Sequence, residues 1–256
     1  MSEAERWRES LDAWAIPEWI LAQAEEDPWI HPPVLFEVPD VIDDTPSHER
    51  AAEVLDGDSS LLDVGCGGGI AAMAQASRVV KVIGVDHQRE MLAMFERNAR
   101  ARGLGCQTVE GFWPSVAKMT PVADVVTAHH VVYNVPDVVP FIEALDDHAL
   151  RRVVLELPTH HPLSTMSAAW EHFWNLERPS SPTPDDLIAV LAEMGISASQ
   201  ERWEGAMRVE SNLDQAAHFM TIRLCLPANR EGEVREFLEQ HPPAPTRSLA
   251  TVWWDK

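Results

Sequence analysis

Three groups of residues in this chain have types and spacing suited to chemistry. The first is Asp63-Val64-Gly65-Cys66-Gly67-Gly68-Gly69, a glycine run that follows the apolar pair Leu61-Leu62. Residues without Cβ atoms let the backbone turn sharply and bring its N–H groups close to a ligand. About 20 residues past the first glycine, Asp86 closes the apolar run Val79 to Val85, where an acidic side chain would bind ribose hydroxyls. A glycine turn and an acid at this separation predict a nucleotide-type cofactor site. The second group is His129-His130, with Tyr133 and Asn134 just beyond, and the third is Glu156 with Thr159, His160 and His161. Histidine has a pKa suited to general-base work, so His129 and His130 are candidate bases; packing or backbone hydrogen bonding is the alternative reading. Tyr133, the only tyrosine, either orients an acceptor through its hydroxyl or packs beneath the loop. Glu156 with His160 or His161 either orients a polar acceptor or ties the loop together.

These groups need elements to place them. Apolar runs predict strands near 60–64, 79–85, 106–109, 123–128 and 151–157, with helices near 47–56, 70–76, 87–102 and 137–148 between them. Such alternation demands a parallel sheet with right-handed crossovers, and a ligand crevice at the carboxyl ends of the strands. In the helix over 87–102, Met91, Leu92, Phe95 and Ala99 mark one apolar face and Gly103 follows as a cap. Arg97, Arg100 and Arg102 cluster on the same helix and read as a solvated face rather than a basic binding patch. Further helices are expected near 164–176, 184–194 (opened by Thr183-Pro184), 212–224 and 230–240, with strands near 197–204 and 248–254. On the first of these helices Met166, Trp170, Phe173 and Trp174 form a stripe that is either core or a wall for an apolar or planar acceptor. Before the first strand, Trp7, Leu11 and Trp14 are spaced for an amphipathic helix, Pro17 opens a second helix carrying Trp19 and Ile20, and Trp29-Ile30-His31-Pro32-Pro33 runs extended. Residues 1–45 thus read as a helical cap, anchored by its tryptophans or also lining an acceptor pocket.

A dinucleotide fingerprint needs a small residue three positions after the second glycine, and Ile70 stands there. The stretch Asp63 to Gly69, with its acid two places before the first glycine, resembles instead the class I S-adenosylmethionine-dependent methyltransferases. The resemblance continues through Val85-Asp86 and through Ala123 to Val131, covers about residues 46–158, and points to the small-molecule branches of that superfamily. It implies an α/β fold: a Rossmann-like, seven-stranded, mostly parallel sheet with helices on both faces. The last two strands would form an edge hairpin, here interrupted by a C-terminal helical insertion. Residues 46–256 would be the methyltransferase domain, with a cofactor-binding half over 46–158 and a substrate-side half over 159–256. The implied cofactor is S-adenosyl-L-methionine, held by Asp63, Gly65, Cys66, Gly67, Gly69, Asp86, His87, Gly111, Phe112, Trp113 and His129. Family members often place an acid on the adenine amino group where Phe112 and Trp113 stand, so aromatic stacking would serve there, with Glu110 displaced. Catalytic candidates are His129, His130 and Tyr133; substrate-side candidates are Asn134, His160, His161, Trp170 and Trp174. Catechol-type members use magnesium, but no Asp-Asp-Asn pattern follows the fourth strand, so no metal is expected. Two alternatives stay open: an NAD(P)-dependent oxidoreductase of related fold, and a cofactor-binding module without catalysis.

Composition narrows the partners. At 256 residues and 45% hydrophobic content the chain suffices for one elaborated α/β domain. A net charge of −21 argues against nucleic acid, since phosphate neutralisation needs a basic face. A small-molecule substrate and a monomer or homodimer are expected. Cys66, Cys106 and Cys225 have no short metal-ligand spacing, which fits a reducing cytoplasm. The first residues lack a signal-peptide pattern and no apolar run is long enough to span a membrane.

Overall fold

The computed structural model describes residues 1–29, 36–207 and 212–256, so most of the extended run expected from Trp29 to Pro33, His31 included, lies outside the described residues. Among the described residues seven strands form one sheet: β1 (Ser59–Val64), β2 (Val79–Asp86), β3 (Gly105–Glu110), β4 (Ala123–His129), β5 (Ala149–Pro158), β6 (Ser199–Ala206) and β7 (Thr246–Asp255), in the order β3-β2-β1-β4-β5-β7-β6. The first five run parallel, while β7 lies antiparallel between β5 and β6. Their strand order reverses at β1 and β4, which puts the ligand crevice at the carboxyl ends of those two strands.

The helices are α1 (Glu3–Asp12), α2 (Glu18–Leu21), α3 (Pro46–Ala52), α4 (Ile70–Met73), α5 (Arg89–Ala101), α6 (Val138–His148), α7 (Ser167–Trp174), α8 (Pro184–Glu193), α9 (Leu213–Arg223) and α10 (Glu231–Gln240). Strand alternation explains why both sheet faces are covered. Leu62, Ile83, Val126 and Val153 join the core cluster under α6 and α8, whereas their neighbours Leu61, Val82, Val125 and Val154 join the cluster that includes Leu92, Phe95 and Ala99 of α5. The helix expected over 70–76 is a single turn, because the chain folds back at Gln75 to enter β2, and the Gln75 amide donates to the His48 carbonyl (2.9 Å). Likewise the helix expected from 164 divides into a 3₁₀ segment (Pro162–Met166) and α7. Thr183 and Asp186 form a reciprocal cap on α8, with Pro184 in its first turn.

The N-terminal segment is built into the domain by its tryptophans. Trp7 is buried, donates to the Val135 carbonyl (3.0 Å) and stacks on Tyr133, while Trp14 donates to the Ser181 carbonyl (2.6 Å) and stacks on His161 at 4.2 Å. Ile16 and Ile20 enter a third cluster with Met166, Trp170, Ala217, Leu226, Val234 and Phe237. α9 and α10, inserted between β6 and β7, supply the far side of that cluster.

Candidate active site

The glycine turn is made by three residues in the left-handed region: Gly65 (φ 69°), Gly67 (φ 50°) and Gly69 (φ 95°). The amides of Gly65 and Cys66 both donate to the Val85 carbonyl (2.8 and 3.0 Å), which pins the end of β1 to the end of β2. Asp86 then reaches back: its Oδ2 accepts from the Gly67 amide (3.0 Å) and its Oδ1 from the Gln88 amide (2.9 Å). A carboxylate has about four acceptor positions, so two remain for a diol. The turn is walled closely. A Cβ on Gly65 would lie 2.5 Å from Val131 Cγ2, and one on Gly69 would lie 2.7 Å from Phe95 Cδ2.

Gly68, absent from the sequence-derived set, is needed for a different reason. A Cβ there would sit 2.2 Å from the Phe36 carbonyl oxygen, so the N-terminal arm crosses directly over the turn, and the Asn98 amide donates to the Gly68 carbonyl (2.9 Å). Nothing in the local sequence links position 36 to position 68, since the contact exists only after folding.

Asp63 lies beneath the turn and is 2% exposed, with its carboxylate accepting from the Thr127 hydroxyl (3.0 Å). Burial pushes its pKa up to about 7, against the hydrogen bonds from Thr127 and the Ala72 amide. A carboxyl raised this way favours the folded state fully below its unfolded value and loses that contribution as pH rises through about 7. The stability of the wild type relative to Asp63→Asn, from urea melts, should therefore decline from about pH 4 and level off above about pH 7. A flat or rising difference would contradict the raised value. Cys66 is also buried, and burial pushes its thiol up.

At the end of β3, the Gly111 amide donates to the Asp86 carbonyl (2.9 Å), and exposed Phe112 stacks on His87 at 4.6 Å. The structure does not bring Trp113 to this pair. Its indole donates to the Phe141 carbonyl (3.3 Å) and meets His148 edge-on, directed to α6. Glu110 is paired with Arg89 (3.0 Å).

The two histidines after β4 have separate fates. His129 is largely buried, stacks on His48 at 5.9 Å, and is held neutral with its pKa pushed down to about 4 by burial. His130 is exposed at the crevice, with Nε2 2.9 Å from Glu156 Oε1. Glu156 is 7% exposed; burial pushes its carboxyl up, but the flanking imidazoles and the Ser47 hydroxyl pull it further down, and it stays ionised. Around it lie Ser47 and Thr251, joined by a 2.6 Å hydrogen bond, and Trp203, whose indole donates to Thr251 (3.0 Å). Ser47, His48 and Thr251 carried no sequence signal because they come from α3 and β7, remote in the chain.

Other candidates occupy structural positions. Tyr133 is 3% exposed and its hydroxyl donates to the Pro158 carbonyl (2.8 Å), so it anchors the loop beneath Trp7 and does not face the crevice. His161 is buried between Trp14 and Tyr133, its Nδ1 accepting from the Leu163 amide (3.2 Å), and burial with the nearby Arg178 pushes its pKa down to about 4. Asn134 and His160 are exposed. Trp170 is 2% exposed in the third core cluster, and the Trp174 indole donates to the Leu224 carbonyl (2.7 Å), so this stripe holds α7 to the inserted helices. No group of three or more metal-ligating side chains occurs among the described residues.

This strand order, with an antiparallel seventh strand, a glycine turn after β1 and an acid ending β2, is the fold of the class I S-adenosylmethionine-dependent methyltransferases. Residues 61–149 match the family model described as a methyltransferase domain, and the cofactor of that superfamily is S-adenosyl-L-methionine. Among similar curated proteins, the ubiquinone biosynthesis O-methyltransferase of Pseudoalteromonas translucida is 32% identical over 93 residues, and that of Serratia proteamaculans 34% over 97 residues. The first match covers 36% of this chain and 39% of the relative, so the chain spans about two fifths of the length of the curated relatives it matches. Among solved structures, the YcgJ protein of Bacillus subtilis superposes with a TM-score of 0.55 at 16% identity, covering 82% of this chain and 97% of that one. A SAM-dependent methyltransferase from Archaeoglobus fulgidus gives 0.50 at 17% identity, covering 81% and 90%. These structures share the fold.

Proposed function

We propose that the protein transfers a methyl group from S-adenosyl-L-methionine to a small-molecule acceptor by in-line displacement. The observation that carries this reading is Asp86, an acid at the end of β2 whose carboxylate is oriented by the Gly67 amide of a three-glycine left-handed turn. That arrangement suits a ribose diol beside a closely approached backbone, and a 2′-phosphate there would meet like charge. The bound cofactor supplies a methyl group already activated on a positively charged sulfur. Asp86 binds the ribose hydroxyls, His87 and Phe112 flank the adenine, and the turn from Gly65 to Gly69 takes the methionyl end. Asp63 shapes that turn from below. The residues after β4 lie beside the reacting methyl group, where in-line displacement requires the acceptor to be aligned.

Residues 46–158 form the cofactor-binding half, 159–256 the substrate-side half, and 1–45 a cap. The O-methyltransferase names of the matched relatives favour an oxygen acceptor. A net charge of −21 favours a small molecule over nucleic acid. Among the described residues no helix is long and apolar enough to cross a membrane, and three unpaired cysteines suit the cytoplasm. A monomer or homodimer suffices, since the crevice is built within one chain.

Titration calorimetry with S-adenosylhomocysteine and, separately, with NAD tests this reading. Micromolar binding of the former alone is expected; binding of NAD alone would replace it with an oxidoreductase. Asp86→Ala should weaken S-adenosylhomocysteine by about 1–3 kcal/mol, the loss typical of hydrogen bonds to a charged group. Unchanged affinity would place the ribose elsewhere.

A further inference from the structure

We infer that His130 is the general base of the reaction, that Glu156 positions it, and that the acceptor carries a weakly acidic hydroxyl of the phenol type. This rests on the methyltransferase reading above.

Position comes first. His130 directly follows β4 at the crevice, and its neighbour Val131 forms the wall against Gly65. Among the described residues His130 is one of three non-glycine residues in the left-handed region (φ 61°), a conformation that persists where surrounding contacts over-determine it. Here both contacts come from one residue: the His130 amide donates to the Glu156 carbonyl (2.7 Å), and Nε2 meets Glu156 Oε1 (2.9 Å). A buried, ionised carboxylate on Nε2 holds the proton on that nitrogen and leaves a lone pair on Nδ1. It also stabilises the imidazolium that forms when Nδ1 takes a proton. The other candidates are withheld by burial: His129 is largely buried beside His48, and the Tyr133 hydroxyl is bonded to the Pro158 carbonyl.

The chemistry then balances. The acceptor O–H proton passes to Nδ1, the oxygen electron pair forms the new O–CH3 bond, and the C–S bond breaks with its electrons on sulfur. Such a base matters most for a hydroxyl. A thiol ionises near pKa 8.5 and needs less help, whereas a phenol near 10 is mostly protonated at neutral pH.

A competing arrangement makes the test sharp, because the Arg247 guanidinium lies 3.3 Å from the same Nε2. If Nε2 accepted from Arg247, the proton would sit on Nδ1 and His130 could not act as a base. Imidazole ¹⁵N spectra of the wild type with S-adenosylhomocysteine should show His130 protonated on Nε2 and bare on Nδ1; the reverse tautomer would overturn the proposal. Glu156→Gln should lose this single-tautomer state, and its retention would remove the positioning role. If that variant fails to fold, the wild-type spectrum and His130→Gln still decide. S-adenosylhomocysteine affinity should stay within about threefold in both variants, which separates this proposal from the cofactor reading. For the acceptor, phenol and the more acidic 4-nitrophenol are the probes. His130→Gln should slow phenol methylation by about 100- to 10,000-fold and slow 4-nitrophenol methylation far less, since a substantial share of that probe is already ionised at neutral pH. Equal losses, or methylation of neither probe, would overturn the acceptor class.

Discussion

Gly67→Val is expected to abolish S-adenosylhomocysteine binding while the chain still unfolds cooperatively. The backbone at Gly67 has φ 50°, a conformation costing an L-residue about 1–2 kcal/mol and a β-branched residue more. Space inside the fold is not the obstacle, because the nearest heavy atom to a Cβ there is Phe36 Cδ1 at 3.4 Å. Gly65 and Gly69 differ in this respect, since a Cβ at either would overlap Val131 or Phe95 and damage the packing as well as the site. Gly67 also donates to Asp86, so added bulk falls where the ligand must approach the amide and its acidic partner. Calorimetry for affinity and thermal melts for stability separate the two effects, with Gly67→Ala as an intermediate case. Wild-type affinity in Gly67→Val would mean that the ligand does not approach this turn.

Phe95→Ala should cost about 3–5 kcal/mol of stability, the range for truncating a buried aromatic side chain. Phe95 is 0% exposed and touches both sides of the cofactor turn: its ring lies 2.7 Å from where a Cβ on Gly69 would be and 2.9 Å from one on Gly84. Truncation leaves a cavity between α5, β2 and the turn, so Gly69 loses its support. Urea unfolding should show the loss, and S-adenosylhomocysteine binding to the folded fraction should weaken with it. A stability change under about 1 kcal/mol would mean that the site collapses around the missing ring. Paired with Gly67→Val, this variant distinguishes the surface of the turn, proposed to meet the ligand, from its underside.

The elements that proved legible in the sequence are those whose signal is local. Strand runs such as Val79 to Val85 and the apolar face Leu92, Phe95, Ala99 of α5 repeat at the period of their own element. So do the Thr183-Pro184 start of α8 and the helical insertion before β7. What misled at the residue level was side-chain direction. Phe112 and Trp113 are adjacent and equally aromatic, yet one stacks on His87 at the surface while the other donates to the Phe141 carbonyl. The pairs His129-His130 and His160-His161 divide in the same manner, one member buried and one exposed. Tyr133 offered its hydroxyl to an acceptor in the sequence and bonds Pro158 in the fold, where Trp7 of α1 stacks on its ring.

From sequence alone, the glycine turn from Asp63 to Gly69, the acid at Asp86 and the α/β order of the core were determined, because each depends on backbone freedom or periodicity within one stretch of chain. Only the tertiary structure decided which polar side chains face the crevice. Glu156 comes to His130, Thr251 to Ser47, and Phe36 to Gly68 through contacts between segments far apart in sequence. Burial then sets their chemistry: the same kind of imidazole is kept neutral at His129 and held on a carboxylate at His130, according to the neighbours that folding supplies.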